Sequence, residues 1–520
     1  MKKIIVMILL FTTIGILLAQ DVKDLRAIHM GGNWGSNVTG TLAHPPEYFE
    51  FLNNVNTNWI GISIALHIDN SMDSTVERKY TNVDIPTFTD DVLKNTITAL
   101  QQYGFNVYLT LAFEIGEAEM AAHPVSRWQL GDPNMPNEDP NILPEFWPWG
   151  IEHPKHESFV KKFWETYTDQ AIHFAEIAES LGVTLFSLGT ETERLFRSRS
   201  GDYWPNDYGG YLRAMADTVK SVYNGKLTYD MSYDALTAND FYGPGSNHLW
   251  EDMGLDVIGI SAYFELMETM PNEVISVDSL EKNWERIFTD YLIPLKNNNQ
   301  NIPILFLEFG YVNSVEAPYM PGFNEFQPWV FKDDNENGLD DSQETQANIY
   351  EAFFNIKKQN PGIIEGAFLW GHDMCDDNEW ASIWGTMHHF GVRQKLAEEV
   401  VRTYYNSLTG VNSIDNNIPD DFRLLQNFPN PFNPTTKIKY SIPRLVVGNG
   451  YHANARQVAS SVRLIIYDIL GREVTTLVNK QQQPGNYEIE FNASNLPSGI
   501  YFYRLQSGSF AQTKKLMLLR

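Results

Sequence analysis

The sequence is poor in cysteine: Cys375 is the single example in 520 residues. One cysteine cannot form an intramolecular disulfide bond, so a framework of disulfide bridges does not stabilise the fold. Hydrophobic residues make up 43% of the chain and aromatic residues 13%, which is typical of globular packing and not of disorder. Because 520 residues are too many for one ordinary core, we expect one large domain and at least one small one.

Positive charge is also scarce. The chain has 38 Lys and Arg residues against 65 Asp and Glu residues, which gives a formal net charge of -27. Binding to nucleic acid requires basic side chains that neutralise phosphates, so we expect no nucleic-acid partner. The 13 Trp and 25 Tyr residues can build a core or cover the apolar faces of sugars, and their number alone leaves both interpretations open.

The long hydrophobic run of the chain lies at its N-terminus, which reads "MKKIIVMILLFTTIGILLAQ". Two lysines precede an apolar run from Ile4 to Leu18 that ends at Ala19-Gln20, and this predicts a secretory signal peptide over residues 1–20. The run is short for a membrane span, and no stop-transfer pattern follows it. We expect no membrane span after removal of the signal; an uncleaved N-terminal anchor is the alternative.

Signatures of several other enzyme chemistries are missing. The stretch "MGGNWGSN" at 30–37 does not match the glycine-rich phosphate turn of a doubly wound sheet. No serine-centred nucleophile elbow is found. The histidines of "MHHF" at 387–390 and the pair His372-Asp373 do not have the spacing of a zinc site. We therefore expect no cofactor for catalysis.

What the chain does contain is an alternation of apolar, strand-like runs with amphipathic stretches. The amphipathic stretches at 89–104 and 158–182 have apolar residues at three- and four-residue spacing, and both end in glycine. Eight strands alternating with helices predict an α/β fold, a (β/α)8 TIM barrel; an open doubly wound sheet is the alternative. The strand-like runs cover residues 26–34, 58–66, 105–113, 183–190, 226–232, 256–263, 302–309 and 364–370.

The character of the chain changes near residue 408. A polar linker at 408–422 separates the barrel domain, 21–407, from a module at 423–520 with short alternating strands and Gly, Pro and Asn turns, which predicts a small β-sandwich. This module resembles the type IX secretion C-terminal sorting domain in "NFPNPFNPTT", "IYDILGREV", "LPSGIYFYRL" and "TKKLMLLR". The resemblance implies type IX secretion machinery as a partner, and a protein that is secreted or attached to the cell surface. A carbohydrate-binding or spacer sandwich is the alternative.

Two glutamates stand at the ends of the fourth and seventh predicted strands. Glycosidic bonds are commonly cleaved by two carboxyl groups, and barrel active sites lie at the C-terminal ends of the strands. Because side chains alternate along a strand, the residues that share a face can be predicted. In the fourth strand this puts Ser187, Gly189 and Glu191 inside and Phe186 and Leu188 outside.

The same alternation in the seventh strand puts Ile304, Phe306 and Glu308 inside and Leu305 and Leu307 outside. In the sixth strand it turns Gly259, Ser261 and Tyr263 inward, and in the eighth Gly366, Phe368 and Trp370. Four strands are thus predicted to bring Glu191, Tyr263, Glu308 and Trp370 to one rim.

This constellation resembles the clan A glycoside hydrolases, and most of all glycoside hydrolase family 113, whose characterised members are largely β-mannanases. The matching stretches include "HFAEIAESLGVTLFSLGTE", "LDVIGISAYFEL", "IPILFLEFGY" and "GAFLWGHD", and the resemblance covers most of residues 26–405. By position it implies that Glu191 is the general acid/base and Glu308 the nucleophile. Tyr263 would hydrogen-bond the nucleophile, and Trp370 would form the floor of the subsite that holds the cleaved sugar. The remaining candidates for substrate binding are Asn33, Trp34, Glu193, Tyr311 and His372.

The predicted function is therefore a secreted, retaining endo-β-1,4-mannanase that acts on a polysaccharide or oligosaccharide. The alternatives are a hydrolase of another β-linked glycan (glucan, xylan or galactan) and a non-catalytic glycan-binding barrel. Thr190 stands where many clan members have Asn, and "MSYDALTA" follows the fifth strand where Asn-Trp is expected. These positions contact sugar hydroxyls, so the substrate is less certain than the mechanism.

The acidic segment "DDNENGLDDSQE" at 333–344 matches the twelve-residue calcium-loop pattern position by position. Gly338 makes the turn, and Asp340 stands where an EF-hand has an apolar residue, so the loop is more similar to the acidic loops of thrombospondin type 3 repeats. We expect a structural Ca²⁺; a solvated acidic turn that caps the following helix is the alternative. The predicted ligands are Asp333, Asn335, Asn337, the carbonyl of Leu339, Asp341 and Glu344.

Overall fold

The computed structural model describes residues 25–30, 46–69, 73–83, 85–116, 156–195, 209–237, 253–325, 327–371, 387–408, 423–425, 427, 430–442, 460–482, 485–507 and 510–519. The chain divides into two units, Met1–Thr409 and Gly410–Arg520. The predicted signal peptide, the linker and most of the long segment after the third strand lie outside the described residues.

The first unit is a closed barrel of eight parallel strands that follow one another in sequence order, which confirms the predicted (β/α)8 fold. Its strands are β1 Leu25–His29, β2 Trp59–Ile68, β3 Asn106–Ile115, β4 Leu185–Thr190, β5 Lys226–Ser232, β6 Ile258–Ser261, β7 Ile304–Phe309 and β8 Gly366–Leu369. The described helices between and after them are α1 Pro46–Asn54, α2 Asp90–Gln102, α3 His156–Ser180, α4 Gly209–Lys220, α5 Asp234–Thr237, α6 Val277–Ile287, α7 Ile293–Asn298, α8 Asp341–Gln359 and α9 Leu396–Leu408.

Helix α2 shows how local sequence sets these elements. The Thr89 side chain caps its N-terminus by accepting a hydrogen bond from the Val92 N–H, and two aspartates in the first turn suit the positive end of the helix dipole. Leu93, Ile97 and Leu100 recur at helical spacing and are buried against the sheet. The chain leaves the helix through Gly104, whose φ of 91° favours glycine.

Hydrophobic residues of the barrel form two layers. The outer layer fills the space between strands and helices. The inner core lies inside the barrel and closes its centre, so that only the ends of the strands remain for a site. The inner core consists of Leu25, Ala27, Trp59, Tyr108, Leu185, Val257, Leu305, Leu307 and Phe368.

Strand β7 departs from the predicted alternation. Leu305 and Leu307 belong to the inner core, whereas Ile304 and Phe306 pack in the outer layer, so the prediction had these four residues reversed. Near its C-terminal end β7 shifts register against both β6 and β8. Such an irregularity lets two consecutive side chains point the same way, which turns Glu308 inward directly after Leu307.

Strand β4 is irregular at the corresponding place. Its register against β5 shifts between Ser187 and Thr190. A Cβ atom on Gly189 would lie 2.4 Å from the Tyr229 ring and 2.5 Å from the Tyr167 hydroxyl, and both of these side chains belong to the outer layer. Gly189 therefore faces outward and the prediction for it was wrong, while Thr190 takes the inward place.

The second unit contains two antiparallel sheets that share one hydrophobic core, as predicted for a small β-sandwich. One sheet has three strands in the order β13-β10-β9 and the other four in the order β12-β11-β14-β15. The N–H of Asn427, in the "NFPNPFNPTT" motif, donates to the Tyr503 hydroxyl at 2.9 Å and ties the motif to this core. The strands are β9 Arg423–Leu424, β10 Thr435–Ile442, β11 Ser460–Tyr467, β12 Glu473–Gln482, β13 Gly485–Asn492, β14 Gly499–Ser507 and β15 Phe510–Leu518.

None of the helices in the described part of the chain has the length and hydrophobicity needed to span a bilayer.

Candidate active site

The Glu308 carboxylate lies at the C-terminal end of β7 and is held from the neighbouring strand. Tyr263, two residues beyond β6, donates its hydroxyl hydrogen bond to Glu308 Oε2 at 2.9 Å. The backbone N–H of Ala262 donates to the Glu308 carbonyl at 2.7 Å, so main chain and side chain are fixed by the same segment. Glu308 is 1% exposed. A carboxylate fixed in this way and largely removed from water is well suited to attack a bound substrate.

The Glu191 residue follows β4 in a left-handed backbone conformation, with φ at 52°. Its N–H donates to the Asp230 carbonyl on β5 at 2.7 Å, which holds this unusual turn in place. A non-glycine residue with positive φ is uncommon, and such residues cluster at functional sites. The turn ends the strand at the rim and leaves the Glu191 side chain 9% exposed.

The two glutamates belong to the same edge of the sheet. Thr190 pairs with Asp230 across β4 and β5, and Ser261 pairs with Glu308 across β6 and β7. Strands β5 and β6 connect the two pairs without a register shift. Both carboxylates therefore lie at the C-terminal end of the barrel, where active sites of this fold are built.

Trp370 closes the site from β8. Its backbone N–H donates to the Phe309 carbonyl at 2.9 Å. Its indole is half-buried, and the centroid of the indole lies 4.7 Å from the centroid of the His29 ring. His29 is fully buried and touches the inner core through Tyr108. The indole thus rests on the filled centre of the barrel, as a platform for a sugar ring would.

A third carboxylate, Asp230, was missed by sequence reasoning. It lies on β5, is fully buried, and is close to Tyr108 of the inner core. Burial, followed by the negative charges of Asp230 and Glu308, raises the pKa of Tyr108 well above its usual value. The inward alternation of Thr228 and Asp230 in "KLTYDMS" was the signal that could have identified it.

Tyr233 is a second residue that sequence reasoning did not assign. It stands in "MSYDALTA", the segment that departs from the resembled family, and its N–H donates to the Ser261 carbonyl at 3.0 Å. Burial raises the pKa of the Tyr233 phenol, and nearby carboxylates, Glu191 among them, raise it further. Tyr233 follows β5 directly and is tied to the last residue of β6, so it lies at the same rim of the barrel as Glu191.

Two of the proposed sugar contacts lie in the interior. Tyr311 is fully buried, and its hydroxyl donates to the Phe264 carbonyl at 2.6 Å. Glu193 is 2% exposed and begins a short 3-10 turn, and its Oε2 accepts a hydrogen bond from the Ser232 N–H at 3.3 Å. The left-handed turn at Glu191 folds the chain back onto β5 at this point. Both residues are thus held by hydrogen bonds in the interior, and their predicted contact with sugar stays a prediction.

Asn33, Trp34 and His372 are outside the described residues. The predicted calcium ligands belong to the segment that follows β7 and to the first turn of α8.

Comparison with known families places both units. Residues 146–381 match Glycoside Hydrolase Family 113, and residues 426–519 match the Secretion system C-terminal sorting domain. No curated protein matches the chain in sequence.

Solved structures show the same barrel. The GH113 β-mannanase from Alicyclobacillus acidocaldarius in complex with ManMIm is 18% identical and superposes with a TM-score of 0.50, over 74% of this chain and 97% of that one. Another structure, of a GH113 β-1,4-mannanase complex, is 17% identical with a TM-score of 0.49, over 74% of this chain and 99% of that one. At 18% identity the likeness to the Alicyclobacillus acidocaldarius structure shows the fold alone.

Proposed function

Since the chain carries a Glycoside Hydrolase Family 113 domain followed by a secretion-system sorting domain, we propose that this exported glycoside hydrolase is a retaining endo-β-1,4-mannanase that uses Glu191 and Glu308. The family domain establishes a glycoside hydrolase that acts on a glycan, and the sorting domain indicates export to the cell surface or the medium. The sugar and the residue roles are the proposal. The solved relatives named as β-mannanases support this choice of sugar.

The hydrogen bond from Tyr263 to Glu308 is the observation that carries the proposed mechanism. A donor on one oxygen stabilises the carboxylate as an anion and holds it in one orientation. Glu308 then attacks the anomeric carbon, the glycosidic C–O bond breaks, and the proton of Glu191 passes to the leaving oxygen. In the second step Glu191 takes a proton from water, which displaces Glu308 from the sugar. This mechanism expects the two carboxyl groups to be about 5–5.5 Å apart.

The half-buried indole of Trp370 supports the choice of a neutral sugar chain as the substrate. Trp370 offers an aromatic face above His29, and such faces cover the apolar C–H surfaces of sugars. Phe390 lies 5.6 Å from the Tyr263 ring and extends the aromatic wall towards the loop after β7.

One observation favours a different β-linked glycan as the second candidate. Thr190 is fully buried and its hydroxyl is hydrogen-bonded to that of Thr110 at 2.6 Å. Its hydroxyl is therefore engaged inside the barrel and does not replace the amide that an Asn at this position would offer the sugar. A substrate whose hydroxyls differ from those of mannose in orientation suits this change.

The test is a panel of mannan, glucomannan, xylan, cellulose and galactan, assayed for released reducing ends with wild type and Glu308→Ala. We expect release from mannan or glucomannan by the wild type and none above background by the variant. Equal release by the two proteins would remove Glu308 from the mechanism, and release from xylan or galactan alone would replace the proposed substrate.

Tyr263→Phe sharpens this test because it deletes only the hydroxyl that binds Glu308. A hydrogen bond to a charged group contributes about 1.5–3 kcal/mol, so kcat should fall by about 10–100-fold. Tyr311→Phe is the matched control, since it also removes one tyrosine hydroxyl, in this case a fully buried one that donates to the Phe264 carbonyl. The control should lower the melting temperature and leave kcat close to wild type. Equal kcat losses in both variants would show a general effect of instability.

A further inference from the structure

The acidic loop, residues Asp333–Glu344, lies in the segment that follows β7 and includes the first turn of helix α8. Its twelve residues are folded around their own polar side chains. The Asp333 carboxylate accepts hydrogen bonds from the N–H groups of Asn337 and Gly338, both at 2.9 Å. Glu336 and Gly338 have φ values of 59° and 85°, which turn the loop back on itself. The first, fifth and sixth positions are thereby brought close together.

Glu344, the last residue of the acidic loop, lies against Asn335 and Asn337 in the middle of the loop. Glu344 lies in the first turn of α8, and its Oε2 accepts from the side-chain amides of Asn335 at 3.1 Å and Asn337 at 2.7 Å. Positions three, five and twelve therefore converge, although nine residues separate Asn335 from Glu344. Side-chain oxygens at these positions are those that bind Ca²⁺ in a loop of this length.

Asp341, at position nine, provides an independent observation. It is 3% exposed, and its Oδ2 accepts from the N–H of Asp334 at 2.9 Å, so the carboxylate faces the first residues of the loop. Its Oδ1 is buried and has no hydrogen-bond partner among the described residues. A buried carboxylate oxygen without a donor is costly, and a cation or a cation-bound water removes this cost.

Asp340 explains the departure from the usual pattern at position eight. Its carboxylate accepts from the indole N–H of Trp329 at 3.1 Å, from the N–H of Lys332 at 3.0 Å and from the N–H of Gln343 at 3.0 Å. It caps helix α8 and anchors the preceding segment. The charge at this position is therefore used within the fold and is not part of the ligand set.

The chemistry of the donors selects the ion. The acidic loop offers no imidazole or thiolate, which are the donors that transition metals prefer. The acidic loop instead combines two carboxylates, two amides and a backbone carbonyl, with a third carboxylate behind them. Hard oxygen donors in a flexible, mixed set are preferred by Ca²⁺ over Mg²⁺, which demands a tighter octahedron.

We propose that the acidic loop binds one Ca²⁺ ion, through Asp333, Asn335, Asn337, the Leu339 carbonyl and Glu344, with Asp341 bound directly or through water. The ion joins the segment that follows β7 to the first turn of α8. Gln346 of α8 donates to the Tyr311 carbonyl at 2.8 Å and to the Phe390 carbonyl at 3.1 Å, so the helix start also supports the aromatic wall of the site. The role is structural, and the inference does not depend on the proposed substrate.

Binding is tested directly with Tb³⁺, which replaces Ca²⁺ and emits when a nearby indole is excited. Trp329 contacts the acidic loop through Asp340 and is the expected sensitiser. The full chain, stripped with chelator, should gain sensitised emission with Tb³⁺, and Ca²⁺ should displace it while Mg²⁺ at the same concentration should not. Ca²⁺ at a hundredfold excess over its Kd should raise the melting temperature by on the order of 5 °C.

Two variants of equal charge decide where the ion binds. Glu344→Gln removes the ligand at position twelve and should weaken Ca²⁺ binding by at least about tenfold. Glu336→Gln removes the same charge from position four, which contributes no ligand, and should bind as the wild type does. A melting temperature unmoved by Ca²⁺, equal effects of Mg²⁺ and Ca²⁺, or equal losses in the two variants would each overturn the proposal. Because the readouts are binding and stability, loss of mannanase activity does not affect the outcome.

Discussion

The two sides of the barrel are built differently. Strands β2 and β3 pair without interruption over ten residues, from Trp59 with Asn106 to Ile68 with Ile115. The side that carries the glutamates has register shifts at β4/β5, β6/β7 and β7/β8. The regular side supplies a wall, and the irregular side presents functional groups. Register shifts re-aim side chains at the end of a strand, which a strictly alternating strand cannot do.

The difference extends to what is buried. Near their irregular ends, β4 leads into Glu191 and Glu193, β7 carries Glu308, and β5 contributes Asp230, so four carboxylates are largely removed from water within one region. Burying a charge is costly unless it is paired and hydrogen-bonded, as Glu308 is by Tyr263. Functional sites commonly give up stability in this way, because activity and stability compete.

The largest expected effect tests the role of Glu191 on the irregular side. Glu191→Gln should lower kcat on polysaccharide by about 10²–10⁴-fold, because the leaving oxygen loses its proton donor. Glu365→Gln makes the same chemical change just before β8, at the opposite end of the barrel, and should leave kcat near wild type. The loss should be much smaller for an aryl glycoside with a good leaving group and added azide, which need neither acid nor base. An equal loss on both substrates would exclude the acid/base role.

A smaller effect is expected from straightening the irregular strand. Gly189→Ala would place a methyl group against the Tyr229 and Tyr167 hydroxyls and disturb the hydrogen bond from Tyr167 to the Leu188 carbonyl. Overpacking of this kind costs about 1–3 kcal/mol, and Glu191 should be displaced with it, so stability and kcat should both fall. Gly210→Ala in α4 meets no atom within 4 Å and is the control, which should leave kcat unchanged and raise stability by at most about 1 kcal/mol. Wild-type behaviour of Gly189→Ala would show that β4 tolerates regular alternation.

The smallest effect distinguishes the two sides by pH. On β2, burial and then the charge of Lys79 lower the pKa of His67 from 6.5 to about 4. Its contribution to stability is present above pH 6.5 and is lost as the pH falls towards 4. After β7, burial raises the pKa of Glu325 from 4.5 to about 7. Its contribution is present below pH 4.5 and is lost as the pH rises through 7.

Denaturant unfolding between pH 4 and pH 8 measures these contributions. His67→Gln should lose less free energy of unfolding than the wild type when the pH is lowered towards 4. Glu325→Gln should lose less than the wild type when the pH is raised through 7. Each difference should be on the order of 2 kcal/mol. Variant profiles that run parallel to the wild type at every pH would show that neither group is linked to folding.

Much of the barrel could be predicted because its signals are local. Strand-like runs, amphipathic spacing and terminal glycines such as Gly104 depend on neighbours in sequence, and all eight strands were found where these patterns put them. Alternation also placed Tyr263 and Phe368 correctly. It failed for Leu305, Leu307 and Gly189 because it assumes that a strand contains no bulge. A bulge is set by how neighbouring strands pair, and a single strand carries no record of it.

The sequence by itself determined the class of the fold, the division into two units, the residue types of the site and the order in which they occur, since hydrophobic periodicity and turn chemistry act over short distances. Only the tertiary structure decided that Tyr263 binds Glu308, that Asp230 and Tyr233 join the site, and that Tyr311 and Glu193 are buried beneath it. These facts depend on strand register and on a left-handed turn at Glu191, which are fixed by contacts between residues far apart in the chain.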